Sequence, residues 1–413
     1  MPPVFAIPFI VLVILACACA VYYGIVLYRI LVSSRTIPTA RAGLDAPEPE
    51  GGWPDVAVVI PAHNESDIIA HSARSLAAQD YPRFRVIYAL DRCTDETESV
   101  LRATIDDARS NGRFEIITID ECPEDWSGKT HAIWKAVNES THAREADALL
   151  FTDADTEFHP SLVRAAVALL HQRNVGMISL LPTLSFEAPF EKRRQPAAGF
   201  ELIRQFPLDQ INKPGERTRN FANGQFMLFT RDAYEAVGGH EAVREHLLED
   251  LAFARLLSPK RAGMRVNTLL ADGMLLCRMY RSAESFRKGW KRIFTEALRR
   301  RPARLRASAN RLLLTGVIFP VCALMSLVIG ALLVPVDGPL ALALLVSGAL
   351  GTALAAAALA RVYRTQGAPS RLIAQYPLGA LDTFSLLREA ARDLERGVQT
   401  EWAGKRYTRE AND

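Results

Sequence analysis

The 413-residue chain lacks a strong net charge, because 49 lysines and arginines face 46 aspartates and glutamates and leave +3 at pH 7. Without a strong overall field, the composition gives no support for nucleic acid as a partner.

Paired cysteines are also missing. The six cysteines are scattered without Cys-x-x-Cys spacing, and Cys17 and Cys19 lie in an apolar stretch. We therefore predict neither a disulfide framework nor a zinc site.

Charged side chains are missing before Arg29. A cleaved signal peptide carries basic residues ahead of its apolar region, so this absence favours an uncleaved anchor. It also argues against a lipoprotein leader, although Ile14–Cys17 loosely resembles a cleavage site. Residues 4–27 are long enough to cross a hydrocarbon core of roughly 30 Å, and residues 312–334 and 340–360 are two further predicted spans separated by a turn.

Basic residues flank all three predicted spans, and such residues favour the cytoplasmic side of a membrane. The groups are Arg29, Arg35 and Arg41 after the first span, an arginine-rich run at 299–311 before the second, and Arg361 and Arg364 after the third. The run alone would also suit an ordinary solvated helix face. Together the three groups predict a multi-pass protein of the inner (plasma) membrane, with its N-terminus outside and residues 29–311 in the cytoplasm.

The region between the first two spans has an α/β pattern. Residues 36–54 are rich in proline, alanine and glycine and predict a linker. Apolar runs then predict strands at 56–60, 85–90, 114–119 and 148–152, with helices at 66–78, 94–108 and 130–138. This alternation predicts right-handed βαβ units, a parallel Rossmann-like sheet, and a ligand site beyond the carboxyl ends of the strands.

Acidic residues follow two of these predicted strands. Asp91 follows the second strand, and Asp153 and Asp155 follow the fourth with one alanine between them. Side chains two residues apart can both reach one ion, and hard carboxylate oxygens suit Mg²⁺ or Mn²⁺ bound to a diphosphate. The alternative is that this pair only caps a helix near His159.

Four segments in order resemble the motifs of family 2 glycosyltransferases, which have the GT-A fold. They are Val58–Glu65, Asp91–Asp95, Asp153–Asp155 and Leu248–Asp250, and the resemblance covers about residues 55–300. Each motif alone is weak, but four in the family's order are specific.

The resemblance implies a role for each matching position. The nucleoside side of the site would comprise Pro61, His63, Asn64, Glu65 and Asp91. Lys129 would contact donor phosphate, Asp155 would ligate the metal, and Asp153 would lie beside it, closer to the sugar or ribose. Asp250 would be the general base, with Glu249 beside it in the same motif. The alternatives are a plain surface lysine at position 129 and acids that merely suit a helix N-terminus at 249–250.

One motif of the processive synthases in this family is missing from the chain. The Gln-x-x-Arg-Trp sequence is absent, and the corresponding stretch offers only Arg278 and Arg281 to neutralise the departing diphosphate. The three predicted spans also give no evident polymer channel. The segments 278–282 and 401–407 instead resemble bacterial glycosyltransferases associated with carotenoid or hopanoid lipids. That resemblance implies a lipid hydroxyl or carboxyl as the acceptor.

Two further segments leave alternatives open. Residues 286–300 predict an amphipathic helix that lies either on the membrane or on the catalytic domain. Residues 373–387, which contain Asp382, predict an interfacial helix rather than a fourth span. Asn223–Gln225 would line the acceptor side by resemblance, or form an ordinary turn.

The sequence thus predicts five regions: an anchor at 1–35, a linker at 36–54, a GT-A domain at 55–300, two spans within 301–362, and an amphipathic cytoplasmic tail at 363–413. The predicted activity is an inverting transfer from a nucleotide-diphosphate sugar, by analogy a UDP-sugar, to a membrane lipid. The alternatives are a subunit of a polysaccharide synthase and a non-catalytic nucleotide-binding membrane scaffold.

Overall fold

The centre of the fold is a mostly parallel sheet built from apolar runs that are covered on both faces. In this computed structural model, the described residues are 3–107, 112–213, 220–257, 263–335, 338–402, 404–408 and 410–412. Every residue from Val56 to Ile60 is buried, as expected of a parallel strand inside an α/β layer. The strands are β1 (Val56–Ala62), β2 (Phe84–Asp91), β3 (Phe114–Ile119), β4 (Ala148–Phe151), β5 (Thr156–Phe158), β6 (Met177–Leu181), β7 (Thr183–Leu184), β8 (Met227–Thr230), β9 (Val266–Leu270), β10 (Leu275–Cys277), β11 (Thr400–Trp402) and β12 (Lys405–Tyr407).

Among the described residues, the main sheet has seven strands in the order β3-β2-β1-β4-β8-β6-β9. Neighbouring strands are parallel except at β8, which runs antiparallel to both β4 and β6. The start of β8 therefore lies at the edge where the parallel strands end. Strands β5, β10 and β7 form a small second sheet, and β11 pairs with β12 as a hairpin. The four predicted strands are confirmed to within two residues at each end.

Helices cover both faces of the sheet and continue into a separate helical layer. One face packs against α2, α3 and α6, and the other against α4, α5, α8 and α9. The helices are α1 (Pro3–Thr36), α2 (Ile69–Ala77), α3 (Thr97–Asp107), α4 (Gly128–Glu139), α5 (Thr141–Glu145), α6 (Leu162–Gln172), α7 (Pro189–Gln205), α8 (Arg231–Ala236), α9 (Glu249–Leu256), α10 (Ala283–Ala297), α11 (Pro302–Leu313), α12 (Phe319–Leu333), α13 (Gly338–Thr365) and α14 (Tyr376–Glu395).

Helices α2 and α3 begin about three residues later than the sequence predicts. The backbone N–H of Glu65 donates to Thr97 Oγ1 at 2.8 Å, and that of Ser66 donates to Asp95 Oδ2 at 3.3 Å. The loops after β1 and β2 therefore bind each other, so Ser66 does not cap α2. The predicted end of α3 at Ala108 lies outside the described residues.

Three helical stretches within the described residues are long and apolar enough to cross a membrane: 7–36, 302–333 and 338–365. They match the three predicted spans. Residues 302–333 form one continuous rod, in which a π-helical turn at Leu314–Ile318 joins α11 to α12. The part of the arginine-rich run from Pro302 onward belongs to this rod, and its Leu305 and Ala309 are buried on the protein side. Residues 336 and 337 of the predicted turn lie outside the described part of the chain.

Helices α10 and α14 pack on the protein through their apolar faces. Phe286, Trp290 and Phe294 of α10 are buried, which decides between the two alternatives in favour of packing on the protein. Helix α14 packs against α7 and α11. Asp382 on α14 accepts hydrogen bonds from Arg193 (2.9 Å) and Arg194 (3.1 Å), both on α7.

The predicted linker lies along the catalytic layer instead of hanging free. Its short 3₁₀ helix, Ala40–Leu44, contacts α6. Gly43 lies so close to α6 that an added Cβ would come within 2.1 Å of the Ala165 carbonyl oxygen. The backbone N–H of Leu270 donates to the Pro38 carbonyl at 3.1 Å. The segment therefore fixes the first span against the sheet.

Glycine allows close packing of the apolar helices, as is common where small residues line helix–helix interfaces in membranes. A Cβ at Gly348 on α13 would lie 2.3 Å from the Leu327 backbone nitrogen on α12. At Gly24 on α1, the nearest atom to such a Cβ would be 3.8 Å away. Of these two glycines, Gly348 is the one that is sterically required.

We expect Gly348→Ala to destabilise the protein by about 1–3 kcal/mol, because the two helices must move apart. The measurement is the melting temperature of detergent-solubilised protein. Gly24→Ala is the matched control and should leave the melting temperature unchanged or slightly raised. Equal melting temperatures for the two variants would contradict the packing described.

Candidate active site

A cavity of about 580 Å³ opens beyond the carboxyl ends of the sheet strands. Strands β1, β2 and β4 end at its wall, and the antiparallel β8 begins there, so four loops converge. Of the residues predicted for the site, the following line the cavity: Pro61, His63, Glu65, Asp91, Lys129, Asp153, Asp155, Glu249 and Asp250. Asn64, Arg278 and Arg281 are not among its lining residues.

Lys129 connects three elements at the centre of this cavity. It projects from the start of α4, and its Nζ lies 2.5 Å from Asp153 Oδ1 after β4 and 2.8 Å from Glu249 Oε1 at the start of α9. Both neighbouring carboxylates raise the pKa of the ammonium, although burial opposes them. Its charge is therefore retained. Because the side chain is largely buried between two carboxylates of the cavity, it is not a plain surface lysine.

Gly224 makes room for this ion cluster. A Cβ at that position would lie 2.9 Å from Lys129 Nζ and 3.0 Å from Glu249 Oε1. The glycine just before β8 is therefore a close-approach residue rather than an ordinary turn residue.

Asp155 has one carboxylate oxygen in the cavity that is open to a ligand. Its Oδ1 is buried and has no hydrogen-bond partner among the described residues. Burial, followed by the charges of Asp153 and Glu65, raises the pKa of Asp155 to about 7. Unsatisfied buried carboxylate oxygens are costly unless a proton or a cation compensates them.

The arrangement of acids fits a divalent cation held jointly with a ligand. Within the described part of the chain, no three His, Cys, Asp or Glu side chains are grouped closely enough to hold a metal ion by themselves. Seven acidic and three basic residues line the cavity. Asp155 would therefore hold a cation together with oxygens of a bound diphosphate, as hard cations prefer.

Asp250 is held rigidly at the start of α9. Its Oδ2 accepts the Gly224 N–H at 2.9 Å, and its Oδ1 accepts the Leu251 N–H at 2.7 Å. Burial, followed by the neighbouring Glu249 charge, raises the pKa of Asp250 to about 7. A carboxylate with a raised pKa is suited to accepting a proton near neutral pH.

The loops after β1 and β2 form the end of the cavity nearest Asp91. The Asp91 carboxylate is buried and bound by Arg92, with distances of 2.8 Å from Nε to Oδ1 and 2.6 Å from Nη2 to Oδ2. His63 Nδ1 lies 2.6 Å from the Asp91 carbonyl oxygen. Asn64 adopts a left-handed φ of 55°, and its Oδ1 accepts the Thr94 N–H at 2.8 Å. Asn64 therefore shapes the loop from outside the cavity.

Comparison with known proteins identifies the domain built around this cavity. Residues 57–238 match the family described as Glycosyl transferase family 2. Residues 57–238 are therefore similar to family 2 glycosyltransferase domains. The matched residues include strands β1 to β8 and helices packed on both faces of the sheet.

The 4,4'-diaponeurosporenoate glycosyltransferase of Staphylococcus aureus strain MRSA252 is 30% identical over 243 residues, which are 56% of this chain and 59% of that protein. The match thus spans about three fifths of the length of such relatives.

A solved structure of mannosyltransferase PcManGT from Pyrobaculum calidifontis, in complex with GDP-Man and Mn²⁺, is 19% identical with a TM-score of 0.45, covering 92% of this chain and 98% of that one. Glucosyl-3-phosphoglycerate synthase from Mycobacterium tuberculosis, with Mn²⁺, UDP and glucosyl-3-phosphoglycerate, is 16% identical with a TM-score of 0.39, covering 59% and 80%.

The two arginines predicted to face the diphosphate lie elsewhere in the glycosyltransferase domain. Arg281 donates to Glu65 Oε2 at 2.6 Å and to Asp67 Oδ2 at 2.9 Å. Arg278 lies 3.6 Å from Glu157 Oε1, outside the cavity. Its backbone N–H donates to the Asp155 carbonyl at 3.0 Å, so it supports the strand-end loop.

Arg292 on α10 lines the cavity instead. Burial lowers the pKa of its guanidinium, and the charges of Glu249, Asp153 and Asp250 oppose that shift. No sequence pattern pointed to this residue, because an arginine on the polar side of an amphipathic helix is normally solvated.

The same cavity has an apolar branch. It is formed by residues of α7, the ends of β6 and β9, and the apolar neighbours of Asp250 in the chain, and Thr365 and Gln366 at the end of the third span line the same cavity. The apolar side chains of this branch are Leu181, Leu202, Ile203, Leu208, Phe221, Leu247, Leu248, Leu251, Leu270 and Ile293. The branch therefore joins the acidic cluster to the membrane end of the molecule.

We expect Lys129→Met to destabilise the ligand-free protein by on the order of 3 kcal/mol, because it leaves two buried carboxylates without their cation. The measurement is again the melting temperature in detergent. Lys288→Met is the matched control, since Lys288 pairs with Glu284 where both side chains are more than half exposed. An equal effect of the two substitutions would mean that the Lys129 cluster is not stabilising.

Proposed function

We propose that the protein transfers a sugar, with inversion, from a nucleotide-diphosphate sugar to a lipid acceptor at the membrane surface. The observation that carries the proposal is the single cavity, in which an acidic, cation-binding end and an apolar branch meet at Asp250. A donor that ends in a diphosphate suits the first end, and an acceptor with a long apolar body suits the second.

The donor end offers complementary groups to a diphosphate. Lys129 supplies a compact charge, and Arg292 supplies a planar fork that suits phosphate oxygens. A divalent cation, Mg²⁺ or Mn²⁺, would neutralise charge on the leaving diphosphate when bound beside Asp155. The Pro61–Glu65 loop and Asp91 would then hold the nucleoside, and Asp153 would lie near the sugar or ribose.

Asp250 is placed to act as the general base. The acceptor hydroxyl oxygen attacks the anomeric carbon while the bond from that carbon to the diphosphate oxygen breaks. The hydroxyl proton passes to the Asp250 carboxylate, and the diphosphate departs with the bonding electrons. Both carboxylate oxygens are oriented by backbone N–H groups, so little reorganisation is needed during the reaction.

A lipid acceptor is favoured by the apolar branch and by its position. The branch ends beside Gln366, whose Nε2 donates to the Pro196 carbonyl of α7 at 3.2 Å just beyond the third span. Arg29 at the end of the first span pairs with Asp209 at 2.8 Å. The catalytic domain therefore attaches at the arginine-rich ends of the spans, which supports a cytoplasmic orientation at the inner membrane. The 30% identical S. aureus relative, named for a carotenoid acid, supports an acceptor of carotenoid, hopanoid or polyprenyl type.

Replacing Asp250 with asparagine should lower transfer of labelled sugar into membrane lipid by on the order of 10²- to 10⁴-fold, because the proton acceptor is lost. Transfer is measured in membranes containing the variant. Asp272→Asn, at an exposed ion pair with Arg41, is the matched control and should transfer sugar like the wild type. Full activity of Asp250→Asn would remove Asp250 as the general base, whereas an absence of transfer by the wild type would favour a non-catalytic scaffold.

The pH dependence of kcat/KM should follow the same carboxylate. The raised pKa means that Asp250 is ionised above about pH 7. The rate should therefore rise with pH to a plateau and fall about tenfold per unit below the pKa, because only the ionised form accepts a proton. A profile that stays flat between pH 5.5 and 8 would contradict this assignment.

Mn²⁺ binding in the presence of UDP should weaken at least about tenfold in Asp155→Asn, because a coordinating oxygen becomes an amide. Electron paramagnetic resonance of free Mn²⁺ gives the affinity directly. Asp67→Asn is the control, because Asp67 is exposed and pairs with Arg281. Unchanged Mn²⁺ affinity in Asp155→Asn would remove Asp155 from the metal site.

Ile203→Trp should block the apolar branch and reduce transfer to lipid about tenfold or more, because the acceptor can no longer reach its reactive position. Hydrolysis of the donor by water should persist, since Ile203 lies away from the donor end. Leu44→Trp, at an exposed apolar side chain, is the control. Mass spectrometry of extracted lipids identifies the product, and long polysaccharide from the wild-type protein would instead favour a polysaccharide synthase.

A further inference from the structure

The hairpin formed by β11 and β12 lies across the mouth of the donor end of the cavity. Its strands pair antiparallel, with Thr400 opposite Tyr407 and Trp402 opposite Lys405. Glu401, Trp402 and Gly404 line the cavity together with Lys129 and Asp155. The hairpin therefore belongs to the site in space, although it lies more than 100 residues beyond the family 2 match.

Specific hydrogen bonds hold the hairpin in place. Lys405 Nζ donates to the carbonyl oxygens of Glu124 (3.0 Å) and Trp126 (2.8 Å) in the loop before α4. The Gly128 N–H, at the first turn of α4, donates to Tyr407 Oη at 3.0 Å. Lys129 directly follows Gly128 in the chain. The hairpin is thus fastened to the segment that carries the phosphate-facing lysine.

The hairpin also approaches the nucleoside loop closely. Gly404 adopts a left-handed φ of +70°, and a Cβ there would lie 2.9 Å from His63 Nε2. A side chain larger than hydrogen would be strained at this point and would push into the cavity. The hairpin therefore spans the donor end from His63 to Arg292.

Trp402 stacks on Arg292, with the guanidinium carbon 3.2 Å from the ring centroid. The Arg292 Nε is buried and has no hydrogen-bond partner among the described residues. The ring covers one face of the guanidinium, and such cation–π contacts are stronger where water is excluded. This contact fixes the plane of a cation that otherwise faces the carboxylates of the site.

We propose that the β11–β12 hairpin is the roof of the donor site, and that Trp402 is a positioning residue that aims the Arg292 guanidinium at the donor diphosphate. The inference rests on the proposed function, because it takes a nucleotide-diphosphate sugar as the donor. Trp402 touches no reacting atom in this role. It acts through Arg292, and its loss should weaken diphosphate binding without altering nucleoside binding.

The test is a double-substitution cycle on the full-length protein in detergent with Mn²⁺ present. Isothermal titration first identifies which of UDP, GDP, ADP and CDP the wild type binds, and then gives Kd for that diphosphate and for its nucleoside. Trp402→Leu and Arg292→Gln should each weaken diphosphate binding about tenfold, as expected for a desolvated cation–π pair. The double variant should be no weaker than Arg292→Gln alone.

Three controls separate positioning from a general structural effect. Trp402→Tyr, which keeps an aromatic face, should restore diphosphate affinity to near the wild-type value. Arg406→Met, at an exposed position of the same hairpin, should bind both ligands like the wild type. The melting temperature of every variant shows whether it is folded.

Three results would overturn the inference, and they are distinguishable from one another. If the wild type binds a diphosphate and the losses from Trp402→Leu and Arg292→Gln add, Trp402 does not act through Arg292, while the proposed function stands. If the wild type binds none of the four diphosphates, the donor class is wrong and the inference fails with it. Equal weakening of nucleoside and diphosphate binding by Trp402→Leu would likewise exclude a role at the phosphates.

Discussion

The salt-bridge cluster of Lys129 with Asp153 and Glu249 is the interaction on which the site depends. It joins the start of α4, the end of β4 and the start of α9, which lie far apart in sequence. Burying several carboxylates in one cavity is unfavourable unless a cation compensates them. One lysine does this for two of them, and Gly224 allows its close approach. Asp155 and Asp250 are then left free of the lysine, each with a raised pKa near neutrality.

Under the proposed function, that division of roles would allow one cavity to bind two unlike ligands. The uncompensated oxygen of Asp155 lies at the polar end, while Asp250 lies where the polar end meets the apolar branch. Helices α7 and α10 and the end of α13 form the far wall of the apolar branch. Packing of the apolar helices, made close by residues such as Gly348, thus affects the geometry of acceptor approach as well as anchoring.

The strands and the site residues at their ends were predictable, because both follow from short patterns along the chain. Buried runs such as Val56–Ile60 predicted the strands, and in a parallel sheet the strand ends predicted where Asp91, Asp153 and Asp155 converge. The sequence was less informative where a partner comes from a distant element. Arg278 and Arg281 have the right chemistry for a diphosphate but do not line the cavity, and Arg281 is bound to Glu65 and Asp67. Arg292, on an amphipathic helix, had no distinguishing pattern.

The amino-acid sequence by itself determined the α/β order, three apolar helices and the acidic residues at the strand ends, since each depends on short-range periodicity and spacing. Only the tertiary structure decided that α10 packs on the protein, that Lys129 links two acids, and that Trp402 covers Arg292. These contacts join segments separated by 20 to more than 100 residues. Their geometry depends on how whole layers pack, which no local pattern encodes.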